Sequence, residues 1–255
     1  MKKLLLLAMV AIFSMAATAQ KANIETAAQT IRKYNSEKES DGNRKRYLTE
    51  AKTAIDAAHS NPTTSNDPRM WLMRSKVYYG IHSDTLGLKA EFDPDNMLLV
   101  EAAKSIIKVK ESDEKKRYVG DTEYRQILTN IAVGLMFTGE YLLYDNKNYD
   151  LAVTYFETCR KLIPLDEEND FKRNNIDGNK MLQYEATAHQ LAGNGEEARK
   201  LYAELIERGF NDPGVYIQIS NILLEEGDTT AALDYVVKGR EMFEDNPLLI
   251  KREIA

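Results

Sequence analysis

The chain predicts an all-α fold, a solenoid of stacked helix–turn–helix pairs, on three observations. Near the C-terminus one pattern is written twice, 34 residues apart. Gly193 recurs as Gly227, Ala198 as Ala232, Glu207 as Glu241 and Pro213 as Pro247. Small Ala186 is matched by Ser220, and bulky Leu182 by Tyr216. A helical hairpin that buries its faces only against copies of itself produces such a period. Second, Asp67-Pro68, Asp212-Pro213 and Asn246-Pro247 open helices in one grammar: a side-chain acceptor at the N-cap, then proline at the first helical position. A large apolar residue follows three positions later each time, at Trp71, Tyr216 and Ile250. Third, no useful stretch alternates with period two, so no sheet is expected.

Each element follows in order. Lys2 and Lys3, an apolar run from Leu4 to about Ala16, and Ala17-Thr18-Ala19 read as a secretory leader over 1–19. That run is shorter than the roughly 20 residues a spanning helix needs. Residues 20–60 hold a divergent N-terminal pair, helices 22–38 and 44–59 turning at Asp41-Gly42-Asn43. The repeat array occupies 61–246, with pairs at about 68–110, 122–164, 173–209 and 213–246. In the first of these, a loop through Gly87 and Asp93-Pro94 joins helices 68–83 and 95–110. Helices 122–145 and 149–162 follow, stopped by Pro164, and the acidic connector Asp166–Asp170 leads to helices 173–192 and 196–208. Gly193 and Gly227 end helices, with Asn194 and Asp228 as the next N-caps. Residues 247–255 begin a further repeat helix with apolar Leu248, Leu249, Ile250 and Ile254. This is the start of a truncated array or a stub docked on the last pair.

Charge and cysteine content narrow the role. The whole chain carries −6, and loss of Lys2 and Lys3 takes it to −8 (−6 minus 2). That argues against nucleic acid and against anchoring to anionic lipid. No segment beyond the leader reads as apolar enough to span a bilayer, so the mature chain is expected to lack a transmembrane segment. Cys159 is the single cysteine, which excludes an internal disulfide and lipidation at the leader junction.

The residues resemble the tetratricopeptide repeat family. Trp71, Ser75 and Tyr78 stand at its tryptophan, small and tyrosine positions, with Arg74 where a leucine is expected. Ala152, Phe156, Cys159 and Pro164 match the second-helix alanine, aromatic, small and proline positions. Ala198 and Tyr202 repeat the alanine–aromatic pair. Ala232 keeps the alanine, while Val236 and Gly239 soften the rest, and Ala102, Ile106 and Val109 match more weakly. The resemblance covers 68–246 and implies a right-handed superhelical α-solenoid. Together with the leader it implies an exported, periplasmic protein.

No constellation suits a reaction. His59, His82 and His189 lie outside metal-ligand spacing, Cys159 has no histidine nearby in the pattern, and Gly193-Asn194-Gly195 is a turn. The expectation is a non-catalytic adaptor without cofactor or metal that binds a protein or peptide partner. In the resembled family the concave groove is lined by first helices. Carried over, this implies Arg69, Leu72, Lys76 and Tyr79, then Gly134, Phe137, Tyr141 and Tyr144. Lys180, Gln183, Thr187 and Gln190 follow, then Gly214, Ile217, Asn221 and Leu224. Leu72 and Ile217 replace the lysine of the family's carboxylate clamp, so that subtype is excluded. The aromatics suit apolar side chains of a peptide or the faces of a sugar. The alternatives are a glycan-binding component of an outer-membrane uptake system and an array that self-associates through its C-terminal edge.

Overall fold

A computed structural model describes residues 21–37, 42–84, 93 and 95–254. The leader, Asp41, Gly87 and Pro94 lie outside these residues. Eleven α-helices and no strand occur among the described residues. They are α1 (21–36), α2 (Asn43–His59), α3 (Pro68–His82), α4 (Leu98–Ser112) and α5 (Thr122–Tyr141). Next come α6 (Tyr149–Leu162), α7 (Gly178–Leu191), α8 (Gly195–Glu207), α9 (Pro213–Glu225), α10 (Thr229–Met242) and α11 (Pro247–Ile254). Consecutive helices pack: α2 on α3 on α4, α6 on α7, and α7 through α11 each on the next. The chain divides into two compact units, one of residues 1–134 with 164–170 and one of 135–163 with 171–255.

Helix starts obey local chemistry. Asp67 accepts from the Arg69 N–H at 2.9 Å and Asp212 from the Gly214 N–H at 2.8 Å. Asn246 accepts from both Leu248 and Leu249 N–H at 3.1 Å. Each bond satisfies a donor that the first helical turn leaves free. Asp228 caps α10 through the Ala231 N–H at 3.0 Å. Asn194 holds the equivalent position before α8 but makes no side-chain cap bond. Gly193 and Gly227 turn at φ 82° and 84°, a left-handed conformation that costs glycine nothing.

Three boundaries differ from expectation. Helix α4 begins at Leu98, where the Leu98 N–H donates to Asp93 Oδ1 at 2.9 Å, so the cap comes from five residues upstream. Helix α7 begins at Gly178 rather than near 173. A 3₁₀ turn at Lys172–Asn174 and left-handed Asn175 (φ 56°) precede it, pinned by buried Phe171 and Ile176. Asp177 then accepts from the Asn179 and Lys180 N–H groups at 2.9 Å. Helix α5 ends in a π-helical turn, Leu142–Asn146, closed by left-handed Lys147. One expectation also fails on composition. The helical stretch Thr122–Asn146 is long and apolar enough to cross a membrane, with a mean hydropathy of 1.3. Half of that window is buried inside the fold, and exposed aromatics supply much of the remainder.

In the first unit, Arg74 sits on the buried face of α3 where a leucine was expected. Its guanidinium donates to Ser105 Oγ at 2.9 Å and to the Tyr78 hydroxyl at 3.0 Å, and lies 3.5 Å from Glu101. Tyr78 in turn donates to Asp56 at 2.7 Å, so a polar chain ties α2, α3 and α4. Trp71 meets His59 edge-on at 5.0 Å. Asp113 closes α4 by accepting from the N–H groups of Arg117, Tyr118 and Val119 at 3.0, 2.7 and 3.0 Å. Burial pushes its carboxyl up, but these three donors outweigh burial and hold it below the ordinary value. A depressed folded-state pKa contributes stability above the unfolded value and loses it as pH falls through the folded one. Asp113→Asn is therefore expected to destabilise by about 1–2 kcal/mol at neutral pH. The gap to the parent should close as urea melts are taken below about pH 4.

In the second unit, Ala152, Phe156 and Cys159 are fully buried on α6, as are Ala198 and Tyr202 on α8 and Ala232 and Val236 on α10. Small residues at these sites let helices approach, and the aromatics fill the space between them. Burial pushes the Cys159 thiol up to about 12. The thiolate is the reactive form. At pH 8 the native chain should resist iodoacetamide for hours while chain in 6 M guanidinium is alkylated in minutes, as intact mass would record. Helix α11 docks on α10: Leu249 is buried with Tyr216 and Val236, and Arg240 pairs with Glu253 at 3.1 Å.

Candidate partner-binding surface

The C-terminal half of α5 and its π turn carry two faces. Leu135, Met136, Gly139, Leu142 and Leu143 point into the second unit and are buried. Phe137, Tyr141 and Tyr144 fall four and three residues apart, on the opposite stripe. They are 60%, 55% and 56% exposed. Seven residues of helix put roughly 10 Å between the ends of this ladder. Three large aromatic side chains in solvent on one stripe are unlike the scattered exposed apolar residues normal on a surface.

The ladder is backed by fixed groups. Tyr144 meets Tyr184 edge-on at 6.4 Å, and Tyr184 lies tilted on the fully buried Phe156 at 5.0 Å. Lys180 Nζ stands 5.4 Å over the Tyr184 ring and 3.9 Å from Glu140. Burial and the hydrogen bond to the Glu140 carboxylate both push the Tyr184 phenol up, so it remains a neutral donor at physiological pH. Burial, then Glu140, raise Tyr144 in the same direction. The result is a neutral aromatic strip with one lysine–glutamate pair beside it. Tyrosines of this kind give large contact area with little side-chain entropy to lose and offer hydroxyls at the rim.

The polar candidates of α7 and α9 are spent internally. Gln183 Nε2 donates to Asp212 at 2.8 Å. Thr187 pairs with the Tyr202 hydroxyl at 3.0 Å, which also reaches Gln190 at 3.2 Å. Gln190 donates to Gln218 at 3.1 Å and Asn221 to the same oxygen at 3.4 Å. Ile217 is half-buried against the Tyr216, Val236 and Leu249 cluster. Gln183, Thr187 and Gln190 tie α7 to α8 and α9, while Asn221 bonds within α9, and only Lys180 among the polar set adjoins the ladder. Leu224 is exposed at 41% on α9.

The four early candidates belong to the first unit. Leu72 is buried at 3% exposure, so it is core and not lining. Register alone misplaces it, because groove and core positions on a first helix differ by one residue of rotation. Arg69 pairs with Glu25 at 2.5 Å, and Lys76 bonds Glu123. Tyr79 is half-buried beside Lys76. Sequence reasoning missed Tyr184, which links the ladder to the core. It also missed the Arg160–Glu185 pair, in which only the glutamate is buried and whose only signal was a charge among the alanines of α7.

Among the described residues no group of three or more His, Cys, Asp or Glu is placed to hold a metal ion. No protein-family model matches the chain, and no curated protein matches it significantly.

Proposed function

We propose that this chain is an exported, periplasmic adaptor without catalytic activity, built as a right-handed tetratricopeptide-like solenoid, that holds a protein partner on the Phe137–Tyr141–Tyr144 face. The exposure of that ladder on a rigid helix carries the reading. Helices packed in consecutive pairs, the small and aromatic core positions of α6, α8 and α10, and the 34-residue recurrence support the repeat architecture. The ladder's size and spacing suit a helix or extended segment that inserts apolar side chains at intervals, with Lys180 and Glu140 setting its polar edge.

The test is the Phe137→Ala/Tyr141→Ala/Tyr144→Ala variant. Because the three side chains are mostly solvated, far-ultraviolet circular dichroism should be unchanged. Removing Tyr144 from Tyr184 costs about 1 kcal/mol of stability. Partner capture from the cell envelope should fall at least about tenfold, as hot-spot aromatics do when truncated. Loss of helicity, or capture equal to the parent, would overturn the reading.

A further inference from the structure

A second surface, in the first unit and independent of the ladder, has a different chemistry. Helices α1, α3 and α5 line an open recess of about 270 Å³. That is close to the lower end of the range of small-molecule sites, roughly 300 Å³. Asn35 of α1, Tyr79 of α3, and Gln126 and Asn130 of α5 line it, with Ile31, Ile127 and Gly80 as its apolar wall. Gln126 and Asn130 are one turn apart and share a face of α5. None of the three side-chain amides, nor the Tyr79 hydroxyl, makes a hydrogen bond to the described protein. The two charged lining groups, Lys76 and Glu123, neutralise each other in a bond that crosses from α3 to α5.

Those properties select a ligand. Cancelled charge disfavours an anion or a cation. Three solvent-reached amides, each with two donors and an acceptor, and one phenol match a ligand dense in neutral hydroxyls or amides. Half-buried Tyr79, with the edges of the two buried isoleucines, suits a flat apolar face on that ligand. The Lys76–Glu123 bridge joins α3 to α5 at the lining of the recess, one turn from Gln126, which favours a compact ligand over a continuous polypeptide track. A sugar ring has C–H bonds on its faces and hydroxyls around its rim. We propose that this recess binds a neutral saccharide of one to three residues, with Asn35, Gln126 and Asn130 bonding its hydroxyls and Tyr79 contributing ring surface.

Calorimetric titration of the purified chain with maltotriose, cellotriose and N,N′-diacetylchitobiose tests this, with an uncharged alanine–serine heptapeptide as the competing class. Saturable binding of at least one saccharide is expected. It should weaken about tenfold in Gln126→Ala and in Asn130→Ala, the loss of one or two hydrogen bonds. It should be unchanged in Tyr141→Ala/Tyr144→Ala, so that failure here leaves the adaptor reading standing and the reverse. Asn35→Ala, on an exposed position of α1, supplies the same readout if an α5 variant does not fold. No saturable saccharide binding, binding indifferent to all three amide substitutions, or binding of the heptapeptide instead would overturn the proposal.

Discussion

Gly139→Val is expected to destabilise the second unit by about 3 kcal/mol, with the expected consequence of a lower urea midpoint at an unchanged slope. A Cβ built at Gly139 lies 2.8 Å from Phe156 Cε1 and 2.9 Å from Cζ. Real Cβ atoms do not approach that closely, so something must move. Phe156 has no exposed surface and rests on Tyr184, which leaves its ring no free space to enter. Helix propensity pulls the other way, since glycine inside a helix costs about 1 kcal/mol against alanine. Gly139→Ala should therefore be milder, about 1–2 kcal/mol, the clash outweighing the propensity gain. A cycle with Phe156→Leu decides the mechanism: the smaller side chain should recover part of the Gly139→Ala loss, a coupling of about 1 kcal/mol. Strict additivity would show that the close approach is not what holds this position to glycine.

Arg160→Met should cost about 3 kcal/mol, the effect of stranding a buried charge. Glu185 is 5% exposed in its side chain and receives two parallel bonds from the Arg160 guanidinium, at 2.9 and 3.0 Å. The pair joins α6 to α7. Removing only the arginine leaves a desolvated carboxylate on α7, where Leu182 and Ala188, three residues to either side, are fully buried. Replacing both partners by methionine is expected to restore most of the loss, because an ion pair with one buried partner contributes little over well-packed apolar groups. Thermal melts of the single and double variants separate these outcomes. A double variant as unstable as the single one would mean that the lost packing, not the stranded charge, sets the cost.

Local chemistry explains which features could be read from residues alone. An aspartate or asparagine before proline caps its own helix through bonds two or three residues away, so the starts of α3, α9 and α11 were legible. Glycine at a positive φ marks a helix end for an equally local reason, as at Gly193 and Gly227. The late start of α7 was not legible, because buried Phe171 and Ile176 hold the segment out of helix through tertiary packing. Asp93 capping α4 from a distance was hidden likewise. Lining residues were harder still. The spacing of Phe137, Tyr141 and Tyr144 placed them on one stripe, but whether that stripe faced core or solvent depended on which neighbours covered it. Leu72, on a similar pattern, went inside. Gln183 and Thr187 lie on α7 as expected, yet their amide and hydroxyl are used between helices, and the Asn221 amide bonds Gln218 within α9. Arg74 shows the converse: a residue that broke the repeat pattern and proved to organise a buried polar chain.

Photo-crosslinking from the ladder tests the functional account most directly. A benzoylphenylalanine in place of Tyr141, expressed in the native envelope, should join one reproducible protein on irradiation, and the same substitution at exposed Lys200 on α8 should not. Crosslinks that are absent from Tyr141, or identical from both positions, would contradict the assignment of this face to partner binding.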